Sequence, residues 1–388
     1  MRIGMPTTSY PSHAGDAAGA FVRTLAVALA RRGHSVDVIA PSVGVRDTLE
    51  DSGVLVHRVR YAPRALERTF GRFGAPDNLA RDPLAWIGAA SFPIALARAL
   101  AAHQKHWDAI LSHFIVPVSL VASRFAAGRP HVAVAHGTDA HVAASIPGLA
   151  EHIADETTLV CVSRAIASQL RARAAIVQPM GIDRDALRAT TRETGRRTLT
   201  ALSLSRLVSI KGIDTAIRAV ARTTDIELVV AGEGPERGHL EALARSLAAP
   251  VRFVGHVHGD TKRDLFARAD VFVAPSRAIG SRVEGTPTSV LEALAAGLPI
   301  VGTRISGIAD VVPHDAGLLS DPSTPESLAR DLTLLRESSE LRVRLSRNAR
   351  AASAPFDMHR VAASFEQLLG VVRTGGRQVG RSAENLSL

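Results

Sequence analysis

The chain has 388 residues, of which 46% are hydrophobic and 21% charged, and this composition excludes intrinsic disorder as its main state. Its length exceeds that of one ordinary compact core and fits two domains of roughly 150 residues each. The net charge is +9, and arginine supplies nearly all of the positive charge, since the chain has only three lysines, Lys105, Lys211 and Lys262.

Two sequence features indicate the compartment. The single cysteine, Cys161, excludes a disulfide framework and is typical of a reducing environment. We find no run of the roughly 18 apolar residues that a membrane-spanning helix needs, and the initial MRIGMP lacks the pattern of a secretory signal. We therefore expect a cytoplasmic protein.

Short β-rich runs alternate with amphipathic helical patterns through the first half of the chain. A representative helix is predicted over 19–32, where Phe21, Leu25, Ala28 and Leu29 lie on one face. This alternation predicts βαβ units around a parallel sheet that is covered on both faces. The strands are predicted at residues 2–5, 36–40, 54–59, 109–112, 131–135, 159–162 and 176–178.

A polar segment with few large apolar residues, 181–197, predicts a connection between two domains. The alternation then starts again, which predicts a second doubly wound domain. Because such sheets bind ligands beyond the carboxyl ends of their strands, function is expected in the loops that follow strands. In this half the predicted strands are 199–204, 227–231, 251–254, 271–274 and 299–302, and the predicted helices are 213–222, 238–247, 262–269 and 288–296.

The strongest chemical pattern follows the strand predicted at 271–274. Glu284 precedes a loop that leads into a helix carrying Glu292. The loop consists of Gly285, Thr286, Pro287 and Thr288. The free backbone N–H groups and the dipole at such a helix start suit a phosphate. The alternative interpretation makes Glu284 an exposed loop charge and Glu292 an ordinary helix residue, although an acid among apolar neighbours needs partners.

The segment EGTPTSVLEALAAGLPIV resembles the signature of two glutamates separated by seven residues in the large retaining GT-B glycosyltransferase family, known as family 4 or group 1. That family includes mannosyl- and glucosyltransferases of glycolipid and exopolysaccharide synthesis. The resemblance implies that Glu284 contacts hydroxyls of the donor sugar and that Glu292 holds the ribose hydroxyls of the sugar nucleotide. An ionised carboxylate suits both roles because it accepts two hydroxyl hydrogen bonds side by side.

A second pattern, SLSRLVSIKGID, follows the first strand predicted in the second half. Arg206 and Lys211 end a strand and open a helix, a position from which both can reach a diphosphate. The family has an arginine and a lysine at this spacing on the leaving diphosphate. In a chain with so few lysines, Lys211 indicates a need for a compact ammonium, and the alternative is a plain surface lysine.

Glycines follow the strand predicted at 227–231, in LVVAGEGPERGHL. Gly232, Gly234 and Gly238 resemble a dinucleotide fingerprint with one residue too many. A nicotinamide enzyme would need an acidic residue at the end of the next strand, and that strand ends in Gly255 and His256. The glycosyltransferase resemblance instead implies that Gly232 and Gly234 line the nucleotide side of the site.

In the first half, VAVAHGTDAH places His136 and Asp139 in a loop after a strand. The family has a similar loop, which implies that His136 contacts the sugar or the acceptor, while Asp139 is also expected to cap the next turn. The alternative is a structural histidine. Near the N-terminus many relatives have a glycine pair; here Gly15 is followed by Asp16, although Gly15 and Gly19 still permit close approach of a ligand.

Two further patterns are interpreted as structural. Asp183, Arg184 and Asp185 form a D-x-D sequence that we expect to cap a helix, so no metal is implied. Cys161 lies in a β-rich run and is expected to be a buried packing residue.

A basic stretch with interleaved apolar residues has two interpretations. It contains Arg58, Arg60, Arg64, Arg68 and Arg72 against one acidic residue, Glu67. One interpretation is peripheral contact with the inner face of a membrane that carries a lipid acceptor. The other is a solvated loop in an arginine-rich chain. Nucleic-acid binding is not expected, since no recognised reading motif accompanies the charge.

Together these features predict an α/β protein of the GT-B class, with two facing Rossmann-like doubly wound domains and a central cleft. The expected organisation is an acceptor-side domain over 1–180, a linker over 181–197, a nucleotide-sugar domain over 198–355, a helix over 356–372 that packs on the first domain, and a disordered tail over 373–388.

The expected activity is transfer of a sugar, with retention, from a UDP- or GDP-sugar to a hydroxyl acceptor in glycolipid, polysaccharide or glycoside synthesis, with no bound cofactor. Charge stabilisation by Arg206 and Lys211 is expected to supply much of the rate. Two alternatives remain: a sugar-nucleotide epimerase of the same architecture, and a non-catalytic protein that binds a partner glycosyltransferase.

Overall fold

The computed structural model describes residues 1–13, 15–44, 48–71, 74–172, 174–187, 198–279, 285–321 and 324–374. Glu284, Arg72, most of the predicted linker and the tail beyond Thr374 lie outside the described residues. The chain divides into two compact units, one formed by Met1–Gly181 with Met358–Leu388 and the other by Ile182–Asp357.

The first unit is a mostly parallel sheet with helices on both faces. Its strands are β1 (Arg2–Pro6), β2 (Ser35–Pro41), β3 (Thr48–Asp51), β4 (Val54–Val59), β5 (Ala109–His113), β6 (His131–Ala135), β7 (Thr158–Cys161) and β8 (Ile176–Val177). Its helices are α1 (Ala20–Arg31), α2 (Ala75–Arg81), α3 (Ala85–His103), α4 (Leu120–Ser123), α5 (Thr138–Ala144), α6 (Leu149–Glu156) and α7 (Arg164–Leu170). The eight strands lie in the order β3-β4-β2-β1-β5-β6-β7-β8, and β3 runs antiparallel to β4.

The second unit repeats this plan. Its strands are β9 (Leu199–Leu204), β10 (Ile226–Ala231), β11 (Val251–Gly255), β12 (Val271–Ala274), β13 (Ile300–Thr303) and β14 (Gly317–Ser320). Its helices are α8 (Ile213–Val220), α9 (Arg237–Ser246), α10 (Gly259–Arg268), α11 (Thr288–Ala295), α12 (Pro325–Glu337) and α13 (Ser339–Ala352). The strand order is β11-β10-β9-β12-β13-β14, and each strand runs parallel to its neighbours in this order.

The last described helix, α14 (Met358–Thr374), belongs to the first unit. Phe365 and Leu369 on this helix are fully buried in the same apolar core as β1 and α1. Glu366 of α14 accepts a hydrogen bond of 2.8 Å from Arg32 Nε, just beyond the end of α1. The fold of the first unit therefore uses both ends of the chain.

Local sequence explains where several elements begin. Gly19 precedes α1 with a φ of 73°, and a Cβ there would lie 2.3 Å from the Ser9 carbonyl oxygen. Helix α12 begins with a capping box in which Thr324 accepts from Ser327 N, followed by Pro325 at the first helical position. Thr324 satisfies, and Pro325 removes, a backbone donor that a helix start leaves free.

The prediction of two parallel α/β sheets is confirmed, and the structure adds two edge strands. Both β3 (TLED) and β14 (GLLS) are four residues long. Strand β3 has no apolar alternation, since its residues are alternately exposed and partly exposed and none is buried. Short edge strands of this kind give a weak periodic signal in the sequence.

Helix α3 differs from expectation. Together with the turn that follows it to His106, it is long and apolar enough to cross a membrane by length and composition. No unbroken apolar run of this length is evident in the sequence, because Arg98 interrupts it. In the structure, Phe92, Leu96 and Leu100 on one face are fully buried in the first unit, so the helix is also an element of that unit's core.

The segment predicted as a connection, 181–197, belongs to the second unit from Ile182 onward. Ile182 is 4% exposed in that unit's core, and its backbone N–H donates to the Phe356 carbonyl oxygen at 2.9 Å. Residues 182–187 are therefore folded with the second unit, and residues 188–197 lie outside the described residues.

Candidate functional site

In the sheet of the second unit, the order in which the chain adds strands reverses between β9 and β12. From β9 the chain continues to β10 and β11 on one side, whereas β12, β13 and β14 lie on the other. In open parallel sheets the loops beyond such neighbouring strands diverge, and ligands bind in the crevice between them. The loops after β9 and β12 are therefore the candidate site of this unit.

Glycines let the loops of this site approach at backbone distance. A Cβ on Gly212 would lie 2.0 Å from the Pro275 carbonyl oxygen, and one on Gly232 would lie 1.9 Å from that of Ser205. Gly212 has a φ of 63° and Gly232 a φ of 133°, which L side chains rarely adopt. The loops after β9, β10 and β12 thus form one packed layer.

The same contacts give Gly232 and Gly234 a structural explanation. A Cβ on Gly234 would lie 2.3 Å from the Leu207 carbonyl oxygen, and the Leu207 N–H donates to the Glu233 carbonyl at 2.9 Å. Both glycines therefore shape the loop that carries Arg206. Their predicted place on the nucleotide side stays a prediction.

Arg277, which the sequence interpretation did not single out, joins the two loops. Its Nε donates to the Ser209 carbonyl oxygen at 2.9 Å and its backbone N–H donates to the Ile210 carbonyl at the same distance. Its guanidinium also forms an ion pair with Asp214 at 2.9 Å. Arginine is too common in this chain for composition to have marked this residue.

The two cations expected at a diphosphate follow β9 directly. Arg206 is exposed, and Lys211 is partly exposed at the end of the short turn Ser209–Lys211 that leads into α8. The Lys211 N–H donates to the Val208 carbonyl at 2.9 Å, which fixes the backbone of that turn. The structure therefore places both side chains in the candidate site and within reach of solvent.

Glu292 lies in the second turn of α11 with its side chain 17% exposed. Its Oε1 accepts from Lys262 Nζ of α10 at 2.6 Å. Its Oε2 is buried and has no hydrogen-bond partner among the residues that the structure describes. Sequence reasoning missed Lys262, although the scarcity of lysine that drew attention to Lys211 applies equally to it.

The loop before α11 is where the sequence predicted it. Gly285, Thr286 and Pro287 precede the helix, which begins at Thr288, and all four residues are partly exposed. The helix runs for eight residues and leaves its first N–H groups beside the loop. The phosphate role of this segment stays a prediction.

The first unit has a comparable crossing of strand order between β1 and β5. His136 follows the neighbouring strand β6, and its ring centroid lies 4.7 Å from those of Phe21 and Phe114. Its Nε2 is 3.0 Å from His113 Nδ1. Burial, and then the neighbouring His113, holds the pKa of His136 well below its usual range. The imidazole is therefore neutral at pH 7, suited to hydrogen bonding and not to charge pairing.

Asp139 holds the backbone around His136. Its carboxylate accepts from the Ile115 and Gly137 N–H groups, each at 2.8 Å, and from the His136 N–H at 3.1 Å. Burial raises the pKa of Asp139, although these hydrogen bonds act in the opposite direction. Asp139 therefore holds the loop before α5 and the loop after β5; it does not cap α5 as expected, because the start of that helix has no side-chain cap hydrogen bond.

The N-terminal loop keeps Gly15, which has a φ of 88°. The neighbouring Asp16 accepts from Ser12 N and Ala18 N, both at 2.9 Å. Burial raises the pKa of Asp16, but these hydrogen bonds outweigh it and leave the pKa below its usual range. The residue that breaks the family's glycine pair is thus a structural anchor of this loop.

Asp183 of the D-x-D sequence and Cys161, both interpreted as structural residues, have structural roles in the folded chain. Asp183 Oδ1 accepts from the Ala186 N–H at 3.1 Å, as a cap does. Cys161 is fully buried in β7, and burial raises the pKa of its thiol to about 12.

The basic stretch requires a correction. Arg58 is only 5% exposed and donates from Nη1 to the Tyr10 carbonyl oxygen at 3.1 Å, so it cannot face a membrane. Arg60 lies 3.8 Å from the buried carboxylate of Glu67. Arg64 and Arg68 are exposed. The stretch is therefore not one continuous surface patch, because β4 turns Arg58 into the interior.

Comparisons with known proteins agree with this arrangement. The family described as Glycosyltransferase Family 4 matches residues 18–186, and the one described as Glycosyl transferases group 1 matches residues 184–352. The two matches follow one another along the chain and correspond closely to the two units.

Two curated relatives illustrate the similarity in sequence. An uncharacterized glycosyltransferase of Methanocaldococcus jannaschii is 37% identical over 134 residues, which cover 33% of each chain. A GDP-mannose-dependent alpha-(1-6)-phosphatidylinositol monomannoside mannosyltransferase of Mycobacterium tuberculosis is 36% identical over 168 residues, covering 39% of this chain and 44% of the relative. The matched regions thus span between a third and a half of these relatives.

A solved structure illustrates the similarity in fold. HepE of Anabaena, determined in complex with UDP and glucose, aligns with a TM-score of 0.71 and 20% identity over 96% of this chain and 100% of its own. The chain therefore belongs to the glycosyltransferases of family 4 and group 1, which have the GT-B fold.

Proposed function

We propose that this protein transfers a sugar from a nucleotide-diphosphate sugar to a hydroxyl acceptor. The observation that carries the proposal is the grouping of Arg206, Lys211 and Glu292 around the point in the second sheet where strand order changes direction. Ligands of parallel α/β sheets bind at such points. Two cations and a carboxylate there match the diphosphate and the hydroxyls of a sugar nucleotide.

In this proposal Arg206 and Lys211 neutralise the charge that develops on the departing diphosphate. Stabilisation of developing charge by preorganised groups is the largest single contribution to rate in many enzymes. The backbone N–H groups of Gly285–Thr288 add donors for phosphate oxygens. Glu292 accepts from the ribose hydroxyls, and Glu284, outside the described residues, contacts the donor sugar by family resemblance.

We propose retention at the anomeric carbon, with the acceptor hydroxyl attacking from the face that the diphosphate leaves. The acceptor oxygen–carbon bond forms as the bond from carbon to phosphate oxygen breaks, and the hydroxyl proton passes to the departing phosphate oxygen. This step needs no protein nucleophile. Neutral His136 in the first unit is proposed to hydrogen-bond the sugar or the acceptor, since its lowered pKa keeps it uncharged.

Two similar proteins support a proposal for the class of donor. A mannosyltransferase relative is GDP-mannose-dependent and a structural neighbour was solved with UDP and glucose. We propose a UDP- or GDP-sugar donor for this protein, and a glycolipid, polysaccharide or small-molecule glycoside as the acceptor.

A nucleotide screen followed by turnover of a variant tests the function. UDP or GDP at a hundred times its Kd should stabilise the folded protein by about 2.7 kcal/mol, measured by thermal unfolding against ADP and TDP. Lys211→Ala should lower turnover by about a hundredfold while leaving the melting temperature unchanged. Exposed Lys105→Ala is the matched control and should transfer sugar at the wild-type rate.

The nucleotide screen, an assay for epimerisation and the turnover of Lys211→Ala together separate the alternatives. Absence of stabilisation by all four nucleotides would favour a protein that binds a partner enzyme. Conversion of a sugar nucleotide to its epimer without an acceptor would favour an epimerase. Wild-type turnover by Lys211→Ala would show that the diphosphate role is wrong.

We also propose that the protein is cytoplasmic and contacts the inner face of a membrane through α3. This surface replaces the basic stretch containing Arg58 as the proposed membrane contact. The exposed face of this helix carries Trp86 (61% exposed), Ile87 (46%) and Ile94 (59%). Exposed Arg98 follows Ile94 by one turn, and exposed Arg68 lies beside the start of the helix through its contact with Asp82 at 3.3 Å. Apolar side chains flanked by arginines complement an anionic bilayer surface.

Sedimentation with vesicles tests this contact. The wild-type protein should bind vesicles that contain phosphatidylglycerol, and binding should weaken with salt. A Trp86→Ser/Ile94→Ser variant should lose most binding, whereas Val343→Ser, which removes a side chain 68% exposed on α13, should retain it. Equal binding by both variants, or concentration-dependent dimerisation lost only in the α3 variant, would overturn the membrane proposal.

A further inference from the structure

The carboxylate of Glu292 has two oxygens in different situations. Oε1 is engaged by Lys262 Nζ at 2.6 Å, whereas Oε2 is buried and has no hydrogen-bond partner among the described residues. A buried acceptor without a donor is unfavourable, and in native proteins such groups are rare and call for a specific explanation. The orientation of the carboxylate is thus set from one side only.

We propose that Lys262 is a positioning residue that orients Glu292 so that Oε2 receives a ribose hydroxyl of the donor nucleotide. This inference rests on the proposed function, because it assigns the partner of Lys262 in the same site. Lys262 comes from α10, which follows β11, and Glu292 comes from α11, which follows β12. The pair therefore joins the elements on the two sides of β9 and β10.

Charge explains why Glu292 needs this lysine. Four of the residues around it on α11, Val290, Leu291, Ala293 and Leu294, are at most 1% exposed. An ionised carboxylate in apolar surroundings requires a nearby cation. Lys262 supplies that cation with a side chain 27% exposed, so the ammonium also keeps contact with solvent.

The choice of lysine is itself informative in a chain whose other cations are nearly all arginine. An ammonium is a compact charge that contacts one carboxylate oxygen, as it does here. A guanidinium binds a carboxylate with two parallel hydrogen bonds and would engage Oε2 as well. Lysine therefore leaves Oε2 available to a ligand, and arginine would not.

The test compares nucleotides that carry or lack the ribose hydroxyls. Calorimetry would measure the affinity of UDP and GDP and of their 2′,3′-dideoxy counterparts for wild-type protein and variants. The wild type should prefer the ribose form by about tenfold, since leaving a buried acceptor unpaired lowers affinity by about five- to a hundredfold. Lys262→Met should reduce this ratio to about threefold or less, and exposed Lys105→Met should leave it unchanged.

Lys262→Arg separates positioning from charge alone. The arginine keeps the positive charge, so a purely electrostatic or structural lysine would be rescued and the preference for ribose restored. The proposal expects no rescue, because a guanidinium engages both oxygens of Glu292. Melting temperatures of all variants would show that each protein is folded.

The outcomes distinguish this inference from the function it rests on. A ribose preference that is unchanged in Lys262→Met, or restored in Lys262→Arg, would overturn the role of Lys262. If Glu292→Gln loses the preference in the same experiment, the role of Glu292 still stands. An unchanged preference in Glu292→Gln, or no binding of either nucleotide to the wild type, would overturn both the ribose assignment and the role of Lys262.

Discussion

The two units use the same α/β plan but stabilise their candidate loops in different ways. In the first unit, buried polar side chains hold the loops: Asp139 accepts three backbone N–H groups around His136, and His136 contacts His113 at 3.0 Å. In the second unit, glycines bring backbones together, and Gly212 and Gly232 occupy positions where a Cβ would lie about 2 Å from a carbonyl oxygen.

This difference fits the ligand proposed for each unit. In the second unit, Arg206 is exposed and Lys211 is partly exposed, so both side chains are accessible to a charged diphosphate. In the first unit, burial and the neighbouring His113 lower the pKa of His136 and keep its imidazole neutral beside aromatic rings, which suits the hydroxyls of a sugar or an acceptor. The comparison predicts that substitutions destabilise the two units for different physical reasons: steric overlap in the second unit and lost hydrogen bonds in the first.

The largest expected effect comes from adding one methyl group to the glycine layer. Gly232→Ala places a Cβ 1.9 Å from the Ser205 carbonyl oxygen at a φ of 133°. Backbone strain and overpacking together should lower the free energy of unfolding by about 3–5 kcal/mol. Chemical denaturation would measure this loss.

Gly238→Ala is the matched control, because Gly238 lies in α9 and a Cβ there would have no described atom within 4 Å beyond its own helix and chain neighbours. It should stabilise the protein by about 0.5–1 kcal/mol, as alanine does in a helix. Equal effects of the two substitutions would show that the close approach at Gly232 is not what holds the loops.

A smaller loss is expected from the polar anchor of the first unit. Asp139→Ala leaves the Ile115, His136 and Gly137 N–H groups without their acceptor. The free energy of unfolding should fall by about 2–3 kcal/mol, since buried donors lose their partner. Asp183→Ala, which removes one bond to Ala186 N, should cost about 1 kcal/mol or less in the same denaturation experiment. An Asp139→Ala loss no larger than this would contradict the anchoring role.

The smallest effect is a pH dependence specific to the first unit. Burial lowers the pKa of His113 and of His131 to about 3. Between an unfolded pKa of about 6.5 and that value, the unfolded chain binds protons that the folded state does not, so stability falls as pH falls. Each histidine should contribute about 1.4 kcal/mol per pH unit below pH 6.5.

Denaturation between pH 7.5 and 5.5 would measure this slope, above the range in which most carboxylates titrate. His131→Gln should make the slope shallower, whereas exposed His106→Asn should not change it. A slope that His131→Gln leaves unaltered would mean that His131 is not the group taking up the proton.

Much of the fold was predictable because its strands are short apolar runs with sharp ends. Strands β4, β6, β9 and β12 have the predicted bounds. Strands β3 and β14 were missed, since each has four residues with at most two large apolar side chains and gives a weak periodic signal. The apolar length of α3 was missed because Arg98 interrupts it, and only the folded helix shows that this arginine lies on the exposed side.

The candidate site was predictable where residue type and position after a strand coincide. Arg206, Lys211 and Glu292 were found in this way, and so was His136. Lys262 and Arg277 were not, because each acts on a residue far away in sequence: Lys262 on Glu292 and Arg277 on Ser209. Arg58 was placed on the surface by its charge, whereas its neighbours in β4 turn it inward to backbone carbonyls.

The chain length corresponds to two α/β units, and the positive charge matters at particular residues of the second unit. The sequence periodicity was enough to predict two parallel α/β sheets, and the loop after β9 was enough to predict two cations, Arg206 and Lys211, for a diphosphate. Both predictions depend on residues close together in the chain. Which cation pairs with which carboxylate, and which glycine touches which carbonyl, depended on the packing of distant loops. Of the three lysines, sequence alone marked Lys211, and only the tertiary contact at 2.6 Å marked Lys262.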